Sequence, residues 1–127
     1  MATQAQIDNR LDELATIIIN VGQALPPIEG LIDTYKWDQR AFLPKKPRIG
    51  TTVRVGQASD SQVAIYVHCQ TTLIDSFRSR FPELTYEGNR AIVFDVNKKL
   101  PKAEISECVE AALLYHYNKR HTDKRKS

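Results

Sequence analysis

The sequence has few of the residues that cross-link, anchor or unfold a small protein. Its 127 residues include two cysteines, Cys69 and Cys108, which form neither a CxxC pair nor a zinc-binding spacing. No apolar run approaches the roughly 18 residues of a membrane span, and glycine and proline are sparse at 5 and 6 residues. These absences exclude a disulfide scaffold, a collagen-like chain and a membrane-spanning protein. The low cysteine content favours a reducing cytosol, so we expect a cytoplasmic protein.

An excess of charge of one sign is also lacking. The chain carries 18 Lys and Arg against 15 Asp and Glu, a net charge of +3, and most of that excess lies in residues 119–126. This mild bias does not favour nucleic acid as a partner. We expect no signal peptide either, because the short apolar patch at 17–19 follows acidic residues where a signal would be basic.

The length predicts one domain, since domains usually hold roughly 100–150 residues. We place that domain at residues 1–120 and predict a basic, disordered tail at 121–127. The sequence does not distinguish a monomer from a homodimer.

Two long helices are predicted at the ends of the chain. Apolar residues recur every three to four positions from Ile7 to Leu25, which predicts an α-helix ending near Gly22 to Pro26. Pro101 stands at a favoured first position for the last helix. Residues 28–33 are expected to form a turn and residues 72–81 a short helix. Alternating apolar residues and turn signals predict strands at 35–43, 49–55, 63–67, 84–87 and 90–96.

The order of these elements predicts the fold class. Consecutive strands joined by short loops form antiparallel sheets, and a helix with one apolar stripe must bury it against another layer. We therefore expect an α+β protein, a two-layer sandwich whose antiparallel sheet is covered on one face by the N- and C-terminal helices.

Three acidic residues on the first helix are candidate metal ligands. Asp8 and Asp12 lie one turn apart, with Glu13 beside them, and clustered carboxylates can hold a hard cation loosely. The competing interpretation is a solvated polar face. His68 and Cys69 are neighbours on a strand end and point to opposite faces, so they do not predict a tight transition-metal site.

A second candidate site lies in an aromatic and basic segment. Lys36 and Arg40 stand close to Trp37 and Phe42, so cations could hold an anion while aromatic rings stack on it. We include His68 among these candidate ligand-binding residues. The alternative is that Trp37 and Phe42 belong to the core. No G-x-S-x-G, H-E-x-x-H or phosphate-cradling glycine motif occurs, so we predict a protein that is not an enzyme.

Several short motifs resemble those of the YdhG-like family of small bacterial domains. That family has a Lys-Trp-Gly-x-Pro-Ala-Phe/Tyr segment, which here is KWDQRAF with Asp38 and Arg40 in place of the glycine and the proline. It continues with an FP-E-L turn, a G-x-x-x-I-x-F strand and a final helix opened by Leu-Pro. The corresponding positions in this chain are 36–42, 81–84, 88–94 and 100–101.

The resemblance implies a frataxin-like α+β fold and an expectation about function. Some members of the family are described as iron chaperones that pass iron to iron–sulfur or haem assembly. Iron capture of the frataxin type is associated with an acidic ridge near the first helix, which here implies Asp8, Asp12 and Glu13. The resemblance thus implies weakly bound Fe²⁺ as cargo, no resident cofactor and an iron-accepting protein as partner. The alternatives are a Trp37 cleft for an anionic ligand or nucleic acid, and an interaction protein without a small ligand.

Overall fold

The computed structural model describes residues 2–36, 39–68 and 71–126, with the side chains of all except Lys36 and residues 121–126. They form an open six-stranded sheet with four α-helices and one short 3-10 helix at Pro26–Ile28. The elements are α1 Gln4–Gln23, β1 Leu31–Lys36, β2 Gln39–Pro44, β3 Val53–Ser59, β4 Gln62–Tyr66, α2 Leu73–Arg80, β5 Thr85–Glu87, β6 Ala91–Asp95, α3 Lys102–Leu113 and α4 Tyr115–Lys126.

The first helix begins with a reciprocal cap and buries one apolar face. The Gln6 amide donates to Thr3 Oγ1 at 3.2 Å, and the Thr3 amide donates to Gln6 Oε1 at 2.8 Å, which satisfies two otherwise unpaired donors. Ile7, Leu14 and Ile18 are fully buried, and each such side chain contributes roughly 1.5–3 kcal/mol. The predicted helix and its end are thus confirmed.

No helix in the described part of the chain is both long and apolar enough to cross a bilayer.

The sheet is antiparallel throughout and its strand order is β1-β2-β3-β4-β6-β5. The first four strands follow one another as a meander, and β6 joins β4 after α2 and β5. α1 and α3 pack against each other and on one face of the sheet, where side chains such as Phe42, Val53 and Ile65 form the main core. Small side chains occupy the centre of the other face: Ala64, Ala91 and Val93. The predicted α+β architecture with an antiparallel sheet is confirmed.

The structure corrects the sequence prediction between residues 28 and 59. Residues 31–36 and 39–44 pair as the antiparallel strands β1 and β2, which we call the hairpin, where we expected a turn at 28–33 and one strand at 35–43. β3 begins at Val53 and not at Ile49, because the residues before it bond to the C-terminal helices. The Thr51 amide donates to the Ala112 carbonyl at 2.9 Å, and the Tyr117 amide donates to the Ile49 carbonyl at 2.9 Å.

The C-terminal helix also differs from its prediction. It is divided at Leu114 into α3 and α4, and the backbone of residues 121–126 belongs to α4. Disorder of the tail at 121–127 stays a prediction. The start of α4 is held by the Tyr117–Ile49 bond and by Arg120, whose guanidinium donates to the Arg48 carbonyl at 2.8 Å. Basic residues at its end suit the negative pole of the helix dipole.

Candidate functional site

A cleft of about 470 Å³ opens between the N-terminal half of α1 and the first strands of the sheet. We call it the α1 cleft. Its size is within the roughly 300–1,000 Å³ typical of small-molecule sites. The hairpin supplies one wall, α1 the opposite wall, and β3 the floor between them. The lining residues are Asp8, Leu11, Asp12, Tyr35, Gln39, Arg40, Val55, Gly56 and Gln57.

Two acidic residues of α1 line this cleft. Asp8 and Asp12 lie four positions apart, and this spacing puts both side chains on the same face of the helix. Asp8 Oδ1 accepts a hydrogen bond from Gln4 Nε2 at 2.8 Å, a neutral donor one turn earlier. The structure thus brings two of the three predicted metal ligands to one site.

Arg40 is the cationic residue of the described lining, and its charge is used within the fold. Its Nε and Nη2 atoms donate to the two carboxylate oxygens of Asp33 at 3.1 and 2.7 Å, a bidentate pair. Hydrogen bonding to Asp33 is the main cause that raises the pKa of Arg40, to which the charge of Asp12 adds a smaller part. The same hydrogen bond lowers the pKa of Asp33. The guanidinium also lies 5.2 Å from the centre of the Phe42 ring.

This pairing decides the charge of the α1 cleft. With Arg40 balanced by Asp33, the carboxylates of Asp8 and Asp12 leave an excess of negative charge, which favours a small cation over an anion. The Gln57 side chain keeps its amide oxygen available to a bound group, since its Nε2 donates to the Ser59 carbonyl at 3.0 Å. The Gln39 side chain packs against Gly56 on the other face of the sheet.

Glu13, the third predicted metal ligand, is held in a separate ion pair. Its Oε1 accepts from Arg10 Nη1 at 2.6 Å, and Arg10 Nε donates to the Val96 carbonyl at 3.1 Å. This pair ties α1 to the end of β6 and lies outside the α1 cleft. In the described residues no group of three or more His, Cys, Asp and Glu side chains could hold a metal ion.

The other predicted ligand-binding residues are not gathered around Arg40. Phe42 is fully buried in the core. His68 is exposed and follows β4, at the opposite end of the sheet from the start of β2 at Gln39. Lys36 ends β1 and is described by its backbone alone, and Trp37 lies outside the described residues. Arg40 is therefore the predicted residue of this set that the structure places in the lining.

Two residues of β1 shape the site, and sequence reasoning missed one of them, Asp33. We expected Asp33 to end a turn and Tyr35 to begin a single strand at 35–43. Both lie on β1, and each faces the helical side because its partner on β2 does. Asp33 pairs in register with Phe42 and Tyr35 with Arg40. Residues 31–36, with the sequence LIDTYK, do not alternate between apolar and polar side chains, so the sequence offers no local signal for this strand.

A second groove of about 480 Å³ lies between α2, α3 and α4. It is mainly apolar, and its polar contact is the Thr72 amide, which donates to the Tyr115 hydroxyl oxygen at 3.4 Å. Hydrogen bonding with the Thr72 side chain is the main cause that lowers the pKa of Tyr115, and the bond from the Thr72 amide adds a smaller part. The groove contains no pair of like charges comparable with Asp8 and Asp12, so we favour the α1 cleft as the site. The lining residues of this second groove are Thr72, Leu73, Ser76, Phe77, Ala111, Tyr115, Asn118 and Lys119.

Comparisons of the chain with protein-family models, with curated proteins and with solved structures gave no match. The resemblance to the YdhG-like family therefore stays a prediction based on the motifs in the sequence.

Proposed function

We propose that this protein is a binding domain that holds a small cation loosely at Asp8 and Asp12 in the α1 cleft. The observation that supports it is the charge of this cleft: two carboxylates on one helix face line it, and its arginine is already paired with Asp33. A bound cation would offset the repulsion between the two carboxylates. An anion would have to compete with Asp33 for Arg40.

Fe²⁺ is the specific cation we propose. Hard cations prefer oxygen ligands, and two carboxylates leave most of the coordination positions to water, so the ion would exchange readily. Fast exchange suits a protein that passes its cargo to an acceptor, as the YdhG-like resemblance implies. Glu13 is not part of this proposal, because Arg10 already holds its carboxylate.

Binding is favoured over catalysis by the kinds of side chain in the cleft. A nucleophilic mechanism needs a nucleophile within hydrogen-bond reach of a base. The described lining residues include no serine, cysteine or histidine. The proposal is therefore capture and release of a cation without a chemical step.

A titration followed by two-dimensional amide NMR tests the proposal. Fe²⁺ is added to the whole protein under anaerobic conditions, with Mg²⁺ as a diamagnetic control. We expect Fe²⁺ to broaden the amide signals of residues 8–12 and of Gln39 and Arg40. The double variant Asp8→Asn, Asp12→Asn should lose this effect.

The matched control is Glu13→Gln, which removes a neighbouring acid of the same helix that lies outside the cleft. In this variant Fe²⁺ should broaden the same amide signals as in the unchanged protein. Equal loss in the control, or no localised broadening at millimolar Fe²⁺, would contradict the proposal. A titration with inorganic phosphate that shifts the Gln39 and Arg40 signals would instead support the anion-binding alternative.

A further inference from the structure

The two edges of the sheet are protected to different degrees. β5, at one edge, is three residues long and ends at the charged Glu87, and shortness and charge both discourage pairing with another strand. β1, at the other edge, is six residues long and contains no proline. Among the described residues the exposed large hydrophobic side chains are Ile32 and Tyr35, at 41% and 72% exposure, and both lie on β1. An edge of this kind is available for strand pairing.

The register of the hairpin shows which backbone groups of β1 are available. The Lys45 amide donates to the Gly30 carbonyl at 2.9 Å, in line with the antiparallel pairing of β1 and β2. Because bonded and non-bonded pairs alternate in such a ladder, the even-numbered residues of β1 bond to β2. The odd-numbered residues direct their N–H and C=O groups to the free edge. These residues are Leu31, Asp33 and Tyr35.

We propose that β1 pairs antiparallel with β1 of a second copy of this chain, joining the two sheets into one about a two-fold axis normal to the sheet. That axis keeps the helices of both copies on the same side. Facing residues must then come from the same face of the sheet, and outward backbone groups must meet outward groups. These two conditions leave few registers.

Charge selects between the two longest registers, each of which leaves one residue of the six-residue strand unpaired. In the first, Asp33 lies opposite Asp33 of the second copy, and like charges directly opposite are destabilising. In the second, Thr34 lies on the two-fold axis and Asp33 faces Tyr35 of the second copy. We commit to the Thr34 register, in which Asp33 and Tyr35 exchange backbone hydrogen bonds on both sides of the axis.

A second copy is favoured over another partner because this edge is complementary to itself. In the Thr34 register the acidic Asp33 meets the neutral Tyr35 twice, once on each side of the axis. The pairing covers Tyr35, the more exposed of the two apolar side chains. Asp33 keeps its carboxylate on Arg40, since the new bonds use only its backbone. The interface therefore forms without breaking a contact of the monomer.

Variants that place a charge at Thr34 test the proposal. Their association state is measured on the whole protein by sedimentation velocity. The unchanged protein should shift from monomer to dimer between micromolar and millimolar concentration. Thr34→Lys and Thr34→Glu should each weaken the dimer by about tenfold or more, since each puts two like charges on the axis. An equal mixture of the two variants should form a heterodimer. Thr85→Lys, on the outer edge of β5, is the matched control and should dimerise like the unchanged protein.

Cross-linking provides a second measurement in a Cys69→Ser background that retains the buried Cys108. In the Thr34 register the two Thr34 Cα atoms lie about 4.5 Å apart, within the range that a disulfide spans. Oxidation should therefore link Thr34→Cys chains in pairs. The Ile32→Cys chains should not link, because that residue is offset from its copy by roughly 13 Å along the strand.

Three outcomes would overturn the proposal. A chain that stays monomeric at every concentration has no such interface. If a mixture of the Thr34→Lys and Thr34→Glu variants does not recover dimerisation, the dimer is formed through another surface. Linkage of Ile32→Cys as readily as Thr34→Cys would exclude the Thr34 register.

Discussion

Gly50 is the position where a single methyl group should have a large effect. A Cβ atom built on Gly50 would collide with the Leu113 carbonyl group and would lie 2.7 Å from the Ala112 carbonyl oxygen. These are backbone atoms at the end of α3, so no side chain can move aside. Gly50→Ala must therefore push residues 49–51 away from the junction of α3 and α4.

The cost follows from the contacts at this junction. Two backbone hydrogen bonds cross it, from Thr51 to Ala112 and from Tyr117 to Ile49, and each contributes about 1 kcal/mol. Overpacking adds about 1–3 kcal/mol. We expect Gly50→Ala to lower the free energy of unfolding by about 3–5 kcal/mol, a large part of the roughly 5–15 kcal/mol typical of a domain.

Urea unfolding followed by circular dichroism measures this loss, and Gly88→Ala is the matched control. Gly88 has a φ of 55° and no atom within 4 Å of a built Cβ, so its substitution adds only the left-handed backbone strain of about 1–2 kcal/mol. A loss in Gly50→Ala no larger than that in Gly88→Ala would refute the argument from close approach.

Two further predictions concern polar groups outside the helical junction. Tyr86→Phe should lower the free energy of unfolding by about 1–2 kcal/mol in the same urea assay, because the hydroxyl lies 2.8 Å from the Phe77 carbonyl oxygen and 2.7 Å from that of Phe81. Burial raises the pKa of Tyr86 to about 12. An unchanged unfolding midpoint would show that these bonds do not stabilise the end of α2. Arg40 lowers the pKa of Asp33 in the folded state. The stability from this pair is therefore present above the unfolded-state pKa of Asp33 and is lost as the pH falls through the lower folded-state pKa. Asp33→Asn should lower the free energy of unfolding by less than about 1 kcal/mol at neutral pH and not at all at acid pH, and a difference between the two proteins that stays constant with pH would contradict this expectation.

Much of the fold is predictable where one face of an element is buried. The apolar repeat of α1 predicts the observed helix, and the strands predicted at 84–87 and 90–96 correspond to β5 and β6. β1 was missed because an edge strand buries little of either face, and its strand conformation depends on pairing with β2. The start of β3 was placed too early because Gly50 lies against α3, a contact between segments far apart in the sequence.

The candidate site is predictable to a smaller extent. The four-residue spacing of Asp8 and Asp12 predicts a shared helix face, and both line the α1 cleft. The same periodicity turns Glu13 to another side, where it meets Arg10. The charge of Arg40 is balanced by Asp33. This pairing depends on the register of β1 and β2 and cannot be derived without β1.

The packing of α1 on α3 has a consequence for how the chain is made. α1 is synthesised before the sheet, but α3, the helix that covers part of its apolar face, follows all six strands in the chain. The β1–β4 meander, by contrast, pairs neighbours in the chain and can assemble during translation. Native docking of α1 on α3 must wait until α3 has left the ribosome. Until then the apolar stripe of α1 lacks its final cover, and in this interval the nascent chain is most exposed to chaperones and to aggregation.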